Sequence, residues 1–275
     1  LINLVPRRLR LWIKGLFSIS TYANFSFEVK IPKTNKPKHF HFANIVGSHR
    51  VSNLIEPSVA KFLISRGHRV SVVLCDGVLP ACLACSVWLQ PKNQQLDSIF
   101  FKPRKLGICG GCSKPSIKTW KSTGAEIYFI SKTAGKFNIV NDFSQKKFII
   151  NNVDLSEDVI AGCLRFLCKG SEQSISNTLW ENYASAALKV YNFYDEFLSK
   201  NNIDLAFSVH GIYVPHGITN KIFKARGIDF YNYNTSYRQQ RFYFTKNETY
   251  HKILPLETDS DLKLDEVSEL EIKDI

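Results

Sequence analysis

The chain has 275 residues, 44% of them hydrophobic and 13% aromatic, and a formal charge of +12. That apolar content excludes disorder as the state of the whole chain and suffices for one large or two modest domains. No apolar run approaches the roughly 18 residues of a membrane span, and no cleavable signal peptide is visible. Seven cysteines, an odd number with four in knuckle spacing, fit a reducing cytoplasm better than an oxidising compartment. The charge is uneven: residues 257–274 carry eight carboxylates against Lys263 and Lys273, leaving about +18 on the rest. Such a body can attract nucleic acid, anionic lipid or phosphorylated small molecules, and charge alone does not choose among them. The chain contains no Met and begins at Leu1, the pattern expected of a fragment.

In chain order, residues 1–38 form a basic amino-terminal segment and linker. Arg7, Arg8, Arg10 and Lys14 interleave with Leu9, Leu11, Trp12, Leu16 and Phe17. This reads either as an interfacial helix with cations toward anionic headgroups or as an ordinary helix with a basic outer face. An α/β domain is expected over 39–252. HFANIV is a short strand, GSHRVSN a loop, EPSVAKFLISRG a helix with Pro57 near its first turn, and HRVSVVLCD a buried strand. In a β-loop-α-β unit ligands approach the carboxyl ends of the strands, so Gly47, Ser48, His49 and Arg50 become candidate binding residues. Only one glycine stands in that loop, so no dinucleotide fingerprint is present.

After the second strand comes a cysteine-rich stretch, 75–115, read as an insertion. Its two C-x-x-C pairs, Cys82/Cys85 and Cys109/Cys112, are separated by twenty-three residues. Two such knuckles can close four thiolates around one tetrahedral Zn²⁺, with Gly110-Gly111 suited to a tight turn. The alternatives are a group of buried apolar thiols, a redox disulfide or an iron–sulfur cluster. Asp76, at the end of the same strand, is read as a turn cap or an acceptor contact.

GAEIYFI (124–130) reads as a third strand, with a helix from about Pro115 before it, and residues 131–153 give no firm assignment. Leu155 to Leu167 and Ser176 to Ser199 read as helices, the second from Leu179, Tyr183, Ala186, Val190, Tyr194 and Phe197 at spacings of three and four. Strands at 203–209 and 228–233 flank a helix ending at Gly227. Strands alternating with helices predict a doubly wound parallel sheet.

The turn from His210 to Gly217, HGIYVPHG, lies between a strand's carboxyl end and a helix. There, free amides and the helix dipole can receive a phosphate or carboxylate, Gly211 and Gly217 permit close approach, and His210 or His216 can act as general base toward a sugar hydroxyl. The bland reading makes both histidines turn caps. A third cluster holds Tyr237, Arg238, Arg241, Tyr250 and His251: the arginines suit phosphate, the tyrosines stacking on sugar or base, and an ordinary edge strand explains the same pattern.

CDGVLPACLAC, CGGC, HGIYVPHG, GIDFYNYNTSYR and TKNETYHK together resemble the amino-terminal half of bacterial capsule polysaccharide biosynthesis proteins, which look like GT-B glycosyltransferases. The resemblance covers roughly Phe40 to Lys252. It implies a Rossmann-like domain that binds a glycan or lipid-linked sugar acceptor at the inner membrane face. A nucleotide sugar would be held largely by a carboxyl-terminal domain absent from this sequence, with 253–275 as linker or start of that domain. It also implies that Gly47, His49, Arg238 and His251 line the cleft between domains and that any zinc is structural. Two other readings stay open: a zinc-containing nucleic-acid-binding module, from Lys92, Lys102, Arg104 and Lys105 beside Phe100 and Phe101, and a sugar-nucleotide epimerase-like protein.

Overall fold

The computed structural model describes residues 32–84, 108–130, 138–236 and 241–249. Its main sheet has six strands: β1 (His39–Phe42), β2 (Arg69–Leu74), β3 (Glu126–Phe129), β7 (Leu205–Val209), β8 (Phe230–Thr235) and β9 (Phe242–Lys246). They are ordered β3-β2-β1-β7-β8-β9, and only β9 runs antiparallel to its neighbour. The chain steps outward from β1 to β2 to β3, then returns to the other side of β1 and steps from β7 to β8. This Rossmann-like order places a topological switch point between β1 and β7.

Five of the six residues of β2, RVSVVL, are buried, as a strand covered on both faces requires. Val70, Val72 and Leu74 face one layer, where Ala60 of α1 (Arg50–Ser65) and Trp120 of α2 (Ile108–Lys121) close a cluster with Phe42. Val73 faces the larger core, filled from α3 (Ser156–Leu167), α4 (Asn177–Lys200) and α5 (His216–Ala225). A buried network ties the sheet to that layer: Ser71 Oγ lies 2.8 Å from His39 Nε2 and 2.9 Å from His41 Nδ1, and His41 Nε2 lies 3.2 Å from the Tyr194 hydroxyl.

Residues 138–154 form a second, antiparallel sheet of β4 (Ile139–Asp142), β5 (Lys147–Ile150) and β6 (Val153–Asp154). Its hairpin is set by Asp142, whose carboxylate accepts the Ser144 and Gln145 amides at 2.9 and 3.2 Å. The sequence leaves this stretch unassigned because its strands are short and half exposed.

Two helix boundaries differ from the sequence expectation. GSHRVSN is not a loop throughout: α1 begins at Arg50, and His49 Nδ1 accepts the Ser52 amide at 3.2 Å as its cap. Pro57 therefore sits inside the helix, where it cannot donate to the Asn53 carbonyl. CGGC is not a tight turn either. Cys109 to Cys112 lie in the first turns of α2, and Pro115 is interior to that helix. Among the described residues no helix is long and apolar enough to cross a membrane. The basic segment 1–31, most of the cysteine-rich insertion and the acidic stretch from 253 lie outside the described residues.

Candidate functional site

Outside the carboxyl ends of β1 and β7 two loops face each other. One, Ala43 to His49, leaves β1 and enters α1; the other, His210 to Pro215, leaves β7 and enters α5. Parallel strands diverging in opposite directions leave a crevice at this place, where ligands bind in open α/β sheets. Three imidazoles meet there. The rings of His49 and His210 stand edge to face with centroids 5.1 Å apart, and His210 and His216 follow at 6.2 Å.

Their surroundings differ. Because His49 Nδ1 accepts an amide, its neutral tautomer carries the proton on Nε2. Burial lowers its pKa. His216 is 1% exposed, shares a 2.9 Å hydrogen bond between Nδ1 and Ser208 Oγ, and has no partner for Nε2. Burial, with His210 and His49 nearby, holds its pKa well below the ordinary value, so it is a neutral ring in the wall. His210 is half-buried, and of the two candidate bases it is the one with surface open to an acceptor.

The loop backbone turns sharply at His210. Its φ is +69°, and the Gly211 amide returns to the Val209 carbonyl at 2.9 Å, closing a three-residue turn. Gly211 continues at φ +72°, and a Cβ there would lie 2.5 Å from the Asn232 amide carbon. Tyr213 also has positive φ. Such strain in non-glycine residues persists only where the surroundings over-determine it, and it clusters at functional sites.

The amino terminus of α5 is not open to an external anion. A Cβ on Gly217 would stand 1.8 Å from Asp158 Oδ1, so a carboxylate from the first turn of α3 already occupies that helix end. Asp158 is buried and paired with Lys221 at 2.9 Å. The expectation that this terminus receives a ligand's phosphate is corrected accordingly. On the far flank of Gly211 lies a cavity of about 220 Å³, bordered by Ile212, Asp158, Asn220, Lys221 and Glu248. The buried Asn220 Oδ1 has no hydrogen-bond partner.

Gly47 does not meet the crevice with open backbone. It is buried against α2, where a Cβ would lie 2.5 Å from the Cys112 carbonyl oxygen and 2.7 Å from Ser116 Cβ. Arg50 is the first residue of α1. Asp76 is exposed just after β2, and the amide of Gly77 turns back to Cys75 Sγ at 3.3 Å. Cys75, Cys82, Cys109 and Cys112 line one small cavity behind the β1 loop. Burial raises the pKa of Cys75 and Cys112. Cys85, Tyr237, Arg238, Tyr250 and His251 lie outside the described residues.

One group at this edge escapes the sequence reading. Glu56 of α1 is 1% exposed; the Tyr233 hydroxyl donates to it at 2.7 Å and Asn44 Nδ2 at 2.9 Å. Burial pushes its carboxyl up to about 8. A lone Glu before a proline gives no such signal; its helical phase from His49 does, once the helix start is placed correctly. No family model, curated protein or solved structure matches the chain.

Proposed function

We propose that this chain is the acceptor-binding half of a glycosyltransferase, taking a glycan or lipid-linked sugar into the crevice between the β1 and β7 loops. The observation that carries the reading is the convergence of His49, His210 and His216 at the switch point. In the reaction, His210 accepts the proton of an acceptor hydroxyl as its oxygen bonds to the anomeric carbon, and the donor's nucleotide leaves with the electron pair of the broken bond. The neutral rings beside it place no cation against the proton it takes. The 220 Å³ cavity beside Gly211, with room for about seven waters, offers amide, carboxylate and ammonium groups of the kind that hold sugar hydroxyls.

Titration of the chain with neutral oligosaccharides, followed through its histidine ring signals, tests the reading. Binding is expected to move the His49 and His210 resonances and leave His68 still. His210→Ala should weaken binding about tenfold, the worth of one good hydrogen bond. Saccharides without effect, together with steeply salt-dependent binding of random oligonucleotides, would replace this reading with the nucleic-acid module.

A further inference from the structure

Four cysteines from three separate segments meet behind the crevice: Cys75 follows β2, Cys82 lies in the next loop, and Cys109 and Cys112 occupy the first turns of α2. Their common cavity measures about 20 Å³, and its remaining lining, Ile45, Val46, Gly77, Leu79 and Ala84, is side-chain apolar. A volume of that size admits one water-sized body and no cluster of several metal atoms. With thiols as the only polar side chains among its described lining residues, it suits a soft cation better than a water needing two to four strong partners.

We infer that Cys75, Cys82, Cys109 and Cys112 form a tetrahedral thiolate site for a single soft divalent ion of the Zn²⁺ type, with Cys75 in place of the knuckle partner Cys85. Two donors already point at these sulfurs. The Gly77 amide reaches Cys75 Sγ from two residues on, with Gly77 at φ +91°, and the Ser48 hydroxyl donates to Cys112. Donors to sulfur from amide and hydroxyl groups orient and stabilise thiolate ligands. On binding, each thiol gives its proton to solvent and its sulfur lone pair to the ion, so one Zn²⁺ replaces four protons.

Among the described residues no group of three or more His, Cys, Asp or Glu side chains is set to hold a metal ion. The inferred site therefore requires the four thiols to close on the ion as it binds. What they would brace is specific. The Leu83 amide donates to the Val214 carbonyl at 3.0 Å, Tyr213 packs with Cys82 and Cys112 against the cluster of Val46, Leu83 and Ala84, and Gly47 abuts the Cys112 carbonyl. The ion would thus join both loops of the crevice to α2. This holds whatever ligand the crevice takes.

The test uses the full chain with Co²⁺ or Zn²⁺ alone. One Co²⁺ per chain is expected, with thiolate-to-metal charge transfer in the near ultraviolet and intense visible bands of tetrahedral cobalt, both lost when Zn²⁺ displaces it. Cys75→Ser should lose that spectrum, whereas Cys85→Ser and Cys168→Ser keep it. Should Cys75→Ser fail to fold, alkylation mapped by mass spectrometry on the unaltered chain decides instead. There Zn²⁺ should protect Cys75, Cys82, Cys109 and Cys112 and leave Cys168 reactive. Absence of a cobalt–thiolate spectrum, retention of it in Cys75→Ser, equal labelling of Cys75 with and without Zn²⁺, or iron with inorganic sulfide in the isolated chain would each overturn the inference.

Discussion

His210 carries a side chain in backbone territory that glycine usually occupies, and Gly211 behind it has no room for one. The two facts have one cause. The chain must reverse within three residues of β7 to reach α5, and Asn232 fills the space below the turn while donating to the Glu248 carbonyl at 2.9 Å. Gly211→Ala should therefore cost about 1–3 kcal/mol in urea unfolding and disturb the His210 ring signal. An unchanged midpoint would mean that the turn is not held as described. The site was legible in the sequence as two histidines flanking a strand-to-helix turn. That one of them is buried was not, because the burial of His216 depends on tertiary packing that the turn's own residues do not announce.

At the scale of elements, α2 is held to the sheet by packing rather than by charge. Trp120 is fully buried on Phe42 at a centroid distance of 5.5 Å, whereas Arg69 and Glu126, joined by two 2.7 Å hydrogen bonds across β2 and β3, are nearly half exposed. Truncating Trp120 to Ala should cost about 3–5 kcal/mol, and Arg69→Met under about 1 kcal/mol, both read from denaturant midpoints. Equal costs would contradict the assignment. Strands β1, β2, β7 and β8 were legible because buried parallel strands are short apolar runs. The starts of α1 and α2 were not: each is opened by residues that favour loops, His49 to Asn53 and Cys109 to Cys112, and each contains a proline that sequence reasoning places near a first turn. Tertiary contact overrides both signals. Ser116 Oγ donates to Asn53 Oδ1 at 3.0 Å, so the middle of α2 holds the opening turn of α1. β9 lies within the cluster that the sequence left open between a binding site and an edge strand, since an antiparallel edge strand needs no continuous apolar run, and Phe244 is left 64% exposed.

For the molecule as a whole, buried titratable groups oppose one another across the pH range. Burial lowers His41 to about 3 and holds His216 well below its ordinary value. His41 faces His39, Ser71 and Tyr194; His216 faces Ser208, His210 and His49. For both, the unfolded chain binds more protons below pH 6.5, so their contribution is complete above that pH and lost as pH falls. Glu56, facing Asn44, Tyr233 and Tyr194, has the opposite sign: raised from 4.5 to about 8, it favours the fold fully below 4.5 and progressively less as pH rises through 8. Stability should peak near pH 6–6.5. Glu56→Gln, whose amide can donate to the Tyr233 oxygen while its carbonyl accepts from Asn44, should flatten the alkaline limb and gain on the order of 4 kcal/mol at pH 8. Thermal unfolding across pH 4–9 checks both, and an identical alkaline slope in the variant would refute the role given to Glu56.

The carboxylate of Asp158 at the head of α5 bears on selectivity. Rossmann-like crevices commonly recruit a phosphate to a bare helix terminus, but here that electrostatic berth is filled from within the chain. A phosphate at that helix end would meet a carboxylate already seated and paired with Lys221, whereas a hydroxyl would meet the imidazoles beside it. On the proposed reading, this end of the crevice would then favour hydroxyl groups over a phosphate.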